Sequence, residues 1–313
     1  MSQLRRLKPL QLRLLAQLHE AGALGEAANR LGIAQPAASR LLAEMEAALG
    51  LSLHERQGRG LRLTHVGAAL ARRAARIEME LFDAAQEVAE AATGRSGIVR
   101  VGAVTGPALS LILPTLTAIQ RSLPDFRAEV TVTTSITLCD MVRDGRLDFA
   151  LARVPSGDSQ LTSTIMASEP LSLVVRRGHP LLLRPEISVA DMLQYDWVMG
   201  DDETLLTQTV MARLDEIGMP VPNRRISTSS FLFTLALLNQ TDAIAPLATP
   251  VVDSLSGNPS VPFISLPIDL GLTVTPFSLV TRAGSQLTPA AQRLVEGIIL
   301  NESVHGGQIR KEA

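Results

Sequence analysis

Ala27-Ala28-Asn29-Arg30-Leu31-Gly32-Ile33-Ala34-Gln35-Pro36-Ala37-Ala38-Ser39-Arg40 decides how the first third of this chain folds. A helical pattern over 24–31 stops at Gly32, where a C-terminal glycine belongs. Pro36 opens the next helix at a position where its missing N–H costs nothing. The Gly32-Ile33-Ala34 link is short, and two short helices joined by such a glycine-containing turn form a helix-turn-helix. Ala27, Ala28, Ala37 and Ala38 let the two helices cross closely. An apolar stripe of Ala38, Leu42, Met45 and Leu49 at spacings of 4, 3 and 4 predicts the buried side of the second helix. Gln35, Ser39 and Arg40 then fall at its start and outer side, where Gln can pair with adenine and Arg with guanine.

The pattern extends in both directions. A first helix is predicted over 10–21, with Leu10, Leu14 and Leu18 four residues apart. After Gly50, two short extended runs flank Gly58-Arg59-Gly60, which predicts a hairpin wing. Arg56, Arg59 and Arg62 would lie along a phosphate backbone there. Residues 1–76 hold 12 Lys/Arg against 5 Asp/Glu, a balance of +7, while the remainder holds 17 against 26, a balance of −9. A basic head on an acidic body suits a polyanionic partner. A solvated basic hairpin is the alternative reading of the wing alone.

From 64 to 92 there is no proline. Leu70, Ala74, Ile77, Leu81, Ala84, Val88 and Ala91 repeat at 4, 3, 4, 3, 4, 3. A 3.5-residue period favours helix pairing over a single amphipathic helix lying on its own domain. Thr93-Gly94-Arg95-Ser96-Gly97 then reads as a hinge. Beyond it, strands and helices alternate. Strands are predicted at 98–104, 129–134, 148–153, 169–177, 197–199, 225–227, 243–245 and 273–282. Helices are predicted at 109–120, 138–144, 205–217, 231–239, 249–254 and from 288 to about 300. This alternation implies an α/β fold, with a parallel sheet for the β-α-β-α-β order over 98–153.

Several classes are disfavoured by composition and motif. Cys139 is the only cysteine, so no internal disulfide or thiolate zinc site is expected. The five histidines are scattered, and no phosphate loop, nucleophile elbow or dinucleotide fingerprint occurs. The expectation is therefore a non-enzyme without cofactor or metal. The apolar run at the start is interrupted by Gln11, Arg13 and Gln17, so no signal peptide is expected. No uncharged apolar run of about 18 residues predicts a membrane span. A cytoplasmic location follows as an expectation.

The stretch quoted first, with Glu44-Met45-Glu46, Leu49-Gly50, Leu53, Glu55-Arg56 and Leu63-Thr64-His65-Val66-Gly67, resembles the LysR-type DNA-binding domain. Val99-Arg100-Val101-Gly102, Leu113-Pro114, Gly145-Arg146-Leu147-Asp148, Arg176-Arg177-Gly178-His179-Pro180-Leu181 and Leu287-Thr288-Pro289-Ala290-Ala291 resemble, in order, the LysR-type effector domain. The resemblance implies a winged helix-turn-helix over 1–65 and a dimerising linker helix and hinge over 66–97. It then implies a two-lobed domain like type 2 periplasmic binding proteins, with lobe I at 98–168 plus 274–301 and lobe II at 169–273. A disordered tail is expected over 302–313. Gln35, Pro36, Ser39 and Arg40 would meet the groove of double-stranded promoter DNA, with Arg56, Arg59 and Arg62 on the wing. The chain would pair with itself through the linker helix and assemble as a tetramer, touching RNA polymerase if it activates.

Two departures stand out. The family usually has Ser where this chain has Ala34, and Ser-Phe-Thr or similar where it has Ala23-Leu24-Gly25. Both remove an N-cap hydroxyl, and DNA affinity is expected to be lower for it.

Ligands of such sheets bind at strand carboxyl ends and helix starts. That geometry selects Thr105, Gly106, Pro107, Ser135 and Arg153 in one lobe, and Asp201, Asp202, Ser229 and Phe231 in the other. Each is equally an ordinary helix cap on its own, and as a set at one cleft they favour ligand binding. The segments 101–108 and 229–238 resemble the subgroup regulating sugar-binding proteins. That implies a monosaccharide such as galactose, arabinose or fucose, or a derived acid, as the small-molecule effector, with aromatic acids second. An enzyme or a plain solute-binding protein on the same two-lobed fold is the competing class. Binding of promoter DNA discriminates between them.

Overall fold

The computed structural model describes residues 7–57, 60–93, 97–155, 157–256 and 261–309. Helices α1 (Pro9–Ala21), α2 (Leu24–Arg30) and α3 (Gln35–Leu49) pack on a hairpin of β1 (His54–Gln57) and β2 (Gly60–Leu63). Their core is aliphatic, built on Leu14, Leu15, Leu18, Ala27, Ala28, Ala38, Leu42 and Met45. Leu10 does not join it, being 39% exposed, and Gln11 is buried in its place. The Gln11 amide is satisfied there: its Oε1 accepts from the Lys8 N–H at 2.9 Å.

Helix α4 (His65–Thr93) leaves the head. Its first turns bury Ala71, Ala74 and Ala75 in the head core. Further along, the expected seam faces outward: Ile77, Leu81 and Val88 are exposed. The side chain of Ala91 and residues 94–96 of the expected hinge lie outside the described residues.

The body follows the predicted alternation. β3 (Ile98–Ala103) leads into a helical run: α5 (Thr105–Pro107), a wide π-helical turn (Ala108–Ile112) and α6 (Leu113–Ser122). β4 (Arg127–Val132), α7 (Ser135–Arg143) and β5 (Phe149–Ala152) come next. β3 lies between β4 and β5, parallel to both. β6 (Leu161–Arg176) is one 16-residue strand. It begins eight residues before the predicted start at 169, because its first half pairs in lobe I and its second half in lobe II. Its antiparallel partner β11 (Thr273–Arg282) runs beside it from Leu161 to Pro170, with register shifts between Val274 and Ser278. These two strands carry the chain across the lobes.

Lobe II adds a short α8 (Val189–Met192), β7 (Trp197–Met199), α9 (Leu205–Glu216), β8 (Arg225–Ser227), α10 (Phe231–Gln240), β9 (Ala245–Ala248), α11 (Thr249–Ser256) and β10 (Phe263–Ser265). β9 and β10 pair antiparallel with β6. Lobe I packs Val99, Val101, Phe149 and Leu151 against Leu294 and Ile298, whereas lobe II centres on Trp197, Leu173, Val210 and Leu214.

The last helix corrects an expectation. α12 (Pro289–Ile309) passes the predicted end near 300 and makes 302–309 helical rather than a disordered tail. The Asn301 amide donates to Thr115 Oγ1 at 2.7 Å and ties the helix to α6. Gly306 and Gly307, which fall in the expected tail, occupy helical positions. Residues 310–313 lie outside the described residues.

Candidate nucleic-acid interface and ligand cleft

Gln35, Pro36, Ser39 and Arg40 are all exposed, on the side of α3 opposite buried Ala38, Leu42 and Met45. The turn before them is set by Gly32, whose φ of 66° is left-handed. Ala34 holds the N-cap backbone conformation (φ −70°, ψ 142°) without a side-chain hydrogen bond, and Ala23 does the same for α2. Gln35 leans toward Gly25, where a Cβ would lie 3.5 Å from Oε1.

The wing is fastened by Glu46. Its Oε1 accepts from the N–H groups of Leu53 (2.7 Å) and His54 (3.2 Å) and lies 2.8 Å from His54 Nδ1. Thr64 Oγ1 accepts from the Gly67 N–H at 3.0 Å and caps α4. In the hairpin, Glu55 faces Arg62 and Arg56 faces Leu61. Arg62 is exposed. The Arg56 side chain and all of Arg59 lie outside the described residues.

Helix α4 is also bound to the body. Glu80 pairs with Arg282, the Arg100 guanidinium sits 4.3 Å over the Phe82 ring, and Arg76 covers Gly145. His19 of the head lies 3.6 Å from Asp144 of lobe I. A polar cavity of about 860 Å³, lined by residues including His19, Arg72, Arg143 and Asp158, separates head and lobe there. Nothing in the sequence pattern pointed to it.

In the cleft, three of the five lobe I candidates converge. Arg153 follows β5, and its N–H donates to Ser135 Oγ at 3.1 Å. Its Nε donates to the Thr275 carbonyl at 2.7 Å, and its Nη2 lies 2.5 Å from Glu169 Oε2. Glu169 in turn rests on Gly106, where a Cβ would fall 1.6 Å from Oε1 and 3.5 Å from Ala248 of lobe II. Thr105 is half-buried and Pro107 buried in the same turn. Glu169 and Thr275, on the two crossing strands, are the residues that sequence reasoning missed. Neither stands in a recognisable motif, and their partners are distant in sequence.

The lobe II candidates are dispersed. Asp202 pairs with Arg225 at 2.7 Å and is 72% exposed at its side chain. Asp201 is exposed, and its carbonyl accepts from the Thr204 N–H at 2.9 Å. Ser229 is exposed, and Ser230 rather than Ser229 caps α10, accepting from the Phe233 N–H at 3.2 Å. Phe231 packs half-buried between the two lobe II cores. Among the described residues, no group of three His, Cys, Asp or Glu could hold a metal. No helix there is long and apolar enough to cross a membrane.

A winged helix-turn-helix joined through one long helix to a two-lobed α/β domain defines a ligand-responsive DNA-binding regulator. Residues 10–68 match the bacterial regulatory helix-turn-helix proteins of the lysR family, and residues 92–299 match the LysR substrate binding domain. The chain belongs to the LysR family of transcriptional regulators. It is 38% identical to the transcriptional regulator GbpR of Rhizobium radiobacter over 79% of this chain and 83% of that one. It is 33% identical to GbpR of Azospirillum brasilense over 92% and 84%. Among solved structures, full-length CbnR complexed with its target DNA superposes with a TM-score of 0.65 at 22% identity, covering 94% of this chain and 99% of that one. Full-length OxyR from Pseudomonas aeruginosa gives 0.66 at 20% identity, covering 94% and 98%. These last two likenesses concern the fold alone.

Proposed function

We propose that this regulator reads promoter DNA with Gln35, Pro36, Ser39 and Arg40 in the major groove and Arg56, Arg59 and Arg62 along the backbone. The observation that carries the reading is the exposed polar face of α3, set opposite buried Ala38, Leu42 and Met45 and beside a wing fastened by Glu46. The solved CbnR complex with target DNA supports the same use of the head. The exposed α4 seam supports a dimer that presents two heads to two half-sites. A tetramer, a cytoplasmic location and, for an activator, contact with RNA polymerase complete the reading.

The effector binds between the lobes, near Thr105, Gly106, Pro107, Ser135 and Arg153, and is answered from lobe II by Asp201, Asp202, Ser229 and Phe231. A sugar or sugar-derived acid is the ligand class. The likeness of the 101–108 and 229–238 segments to regulators of sugar-binding proteins supports it. A ligand shifts the head arrangement only through different affinity for two lobe arrangements.

The test is retention of the chain's own upstream DNA in a gel, at several salt concentrations, with and without galactose, arabinose or fucose. Arg40→Ala should cost about 1–3 kcal/mol and relax base preference. Arg62→Ala should weaken all sequences alike and reduce the log–log salt slope by about 0.9. Retention that ignores both substitutions rejects the assignment of these residues.

A further inference from the structure

The cation of the cleft is already occupied. Arg153 and Glu169 make a 2.5 Å ion pair with side chains only 16% and 9% exposed. The Nε–H of the same guanidinium donates to the Thr275 carbonyl at 2.7 Å. Thr275 falls within the irregular register between β6 and β11, so the pair sits where the crossing strands change partners.

Gly106 shows that this space is shaped for a carboxylate. Its φ is not left-handed, so backbone conformation does not require glycine there. The requirement is room: a Cβ would overlap Glu169 Oε1 at 1.6 Å. An acidic side chain from the opposite strand thus fills the gap between Arg153 and the turn after β3.

We propose that Glu169 is a built-in occupant of the cleft's anion position, closing Arg153 to ligand carboxylates and restricting the effector to uncharged molecules. The proposal rests on the cleft being the effector site. An incoming carboxylate would have to displace a tethered one, whose effective concentration is set by the chain itself. Without displacement it would lie beside Glu169 as a like charge at low dielectric. An uncharged polyhydroxylated ligand meets neither obstacle and needs only hydroxyl and amide partners. The sugar acid and the aromatic acid therefore give way to the neutral sugar.

The test uses the full chain, thermal unfolding and sodium acetate against sodium chloride at equal ionic strength. Glu169→Ala strands a buried cation and should lower the melting midpoint by about 5–15 °C. Acetate should then restore several degrees with saturation. It should restore nothing in Glu169→Ala/Arg153→Ala beyond the chloride control and do nothing specific in the unsubstituted chain. Glu169→Gln, which keeps the volume and removes the charge, covers the case in which the alanine variant fails to fold, and it too should gain acetate stabilisation. Arg153-dependent acetate binding by the unsubstituted chain, or none in either single variant, overturns the proposal. DNA retention unmoved by any sugar would sink the effector reading instead, and it leaves the acetate titration interpretable.

Discussion

The Cα of Gly67 lies so close to the carbonyl of Leu53 that a Cβ would sit 1.9 Å from that oxygen. The same carbonyl accepts from the Thr64 N–H at 3.0 Å. The strand entering the wing and the first turn of α4 are therefore packed backbone to backbone. Gly67→Ala must push them apart, and overpacking of this kind costs about 1–3 kcal/mol. The wing should be misplaced, so DNA retention should fall while the body keeps its fold. Trp197 is the only tryptophan and lies at the centre of lobe II, so its fluorescence reports the body separately. Unchanged DNA affinity in this variant would show that the wing tolerates displacement.

Ala34 offers the opposite kind of change. Its backbone already has the extended N-cap conformation, but no side-chain oxygen meets the first amides of α3. Ala34→Ser should supply one and stabilise the head by about 1 kcal/mol. Far-UV circular dichroism during urea unfolding sums all the helices, Trp197 fluorescence follows the body alone, and their difference isolates the head, which contains neither Trp nor Tyr. The substitution should raise the midpoint of the head transition and tighten DNA retention. A midpoint that stays in place would mean that solvent already satisfies these amides.

The head was legible because its constraints are local and steric. Gly32 at a left-handed φ, Pro36 in a first turn and the Ala27–Ala28–Ala38 crossing each tolerate few other residues, so the pattern points to one arrangement. The strand 273–282 was legible from its β-branched and aromatic residues, Val274, Thr275, Phe277, Val280 and Thr281. The cleft was not. Arg153 stood out as a charge at a strand end, but Glu169 lies inside β6 and Thr275 in an irregular stretch of β11, and only tertiary pairing joins them. The length of β6 was hidden because its exposed first half lacks a continuous apolar pattern. The extension of α12 was missed because Gly306, Gly307 and the charged end read as disordered, although the helix continues through both glycines.

His179 links stability to pH. It is fully buried. Its Nδ1 accepts from the Leu181 N–H at 3.1 Å, which leaves Nε2 to donate to the Asp242 carbonyl at 3.0 Å. That is the neutral ring, fully used. Burial, opposed only in part by Asp242, holds its pKa below the usual 6.5. The unfolded chain thus takes up a proton that the folded one refuses. This contribution leaves stability unaffected well above pH 6.5 and lowers it as pH falls through 6.5 toward the depressed folded value. Urea midpoints followed by Trp197 fluorescence should drop between pH 7.5 and 5.5. His179→Gln should be less stable at pH 7.5 but should lose less on acidification. An equal loss in both proteins would assign the acid sensitivity to other groups.

Leu81 tests the assembly. It is 59% exposed on α4, in line with exposed Ile77 and Val88, while the first turns of the helix, with the seam's own Leu70 and Ala74, pack into the head. A second copy of the helix would cover this seam at the 3.5-residue period that pairing requires. Leu81→Glu places a charge in that seam and, being exposed within the chain, should leave the fold of each copy intact. Sedimentation equilibrium should show the unsubstituted protein as a dimer or larger and the variant shifted toward monomer. Two joined heads gain affinity through effective concentration, typically by a factor of about 10²–10⁴, so the variant should lose most of its retention on a two-half-site fragment. On a single half-site it should match the unsubstituted chain. A variant that keeps the parent mass would place the pairing surface elsewhere, and the exposed seam would then be only a solvated face.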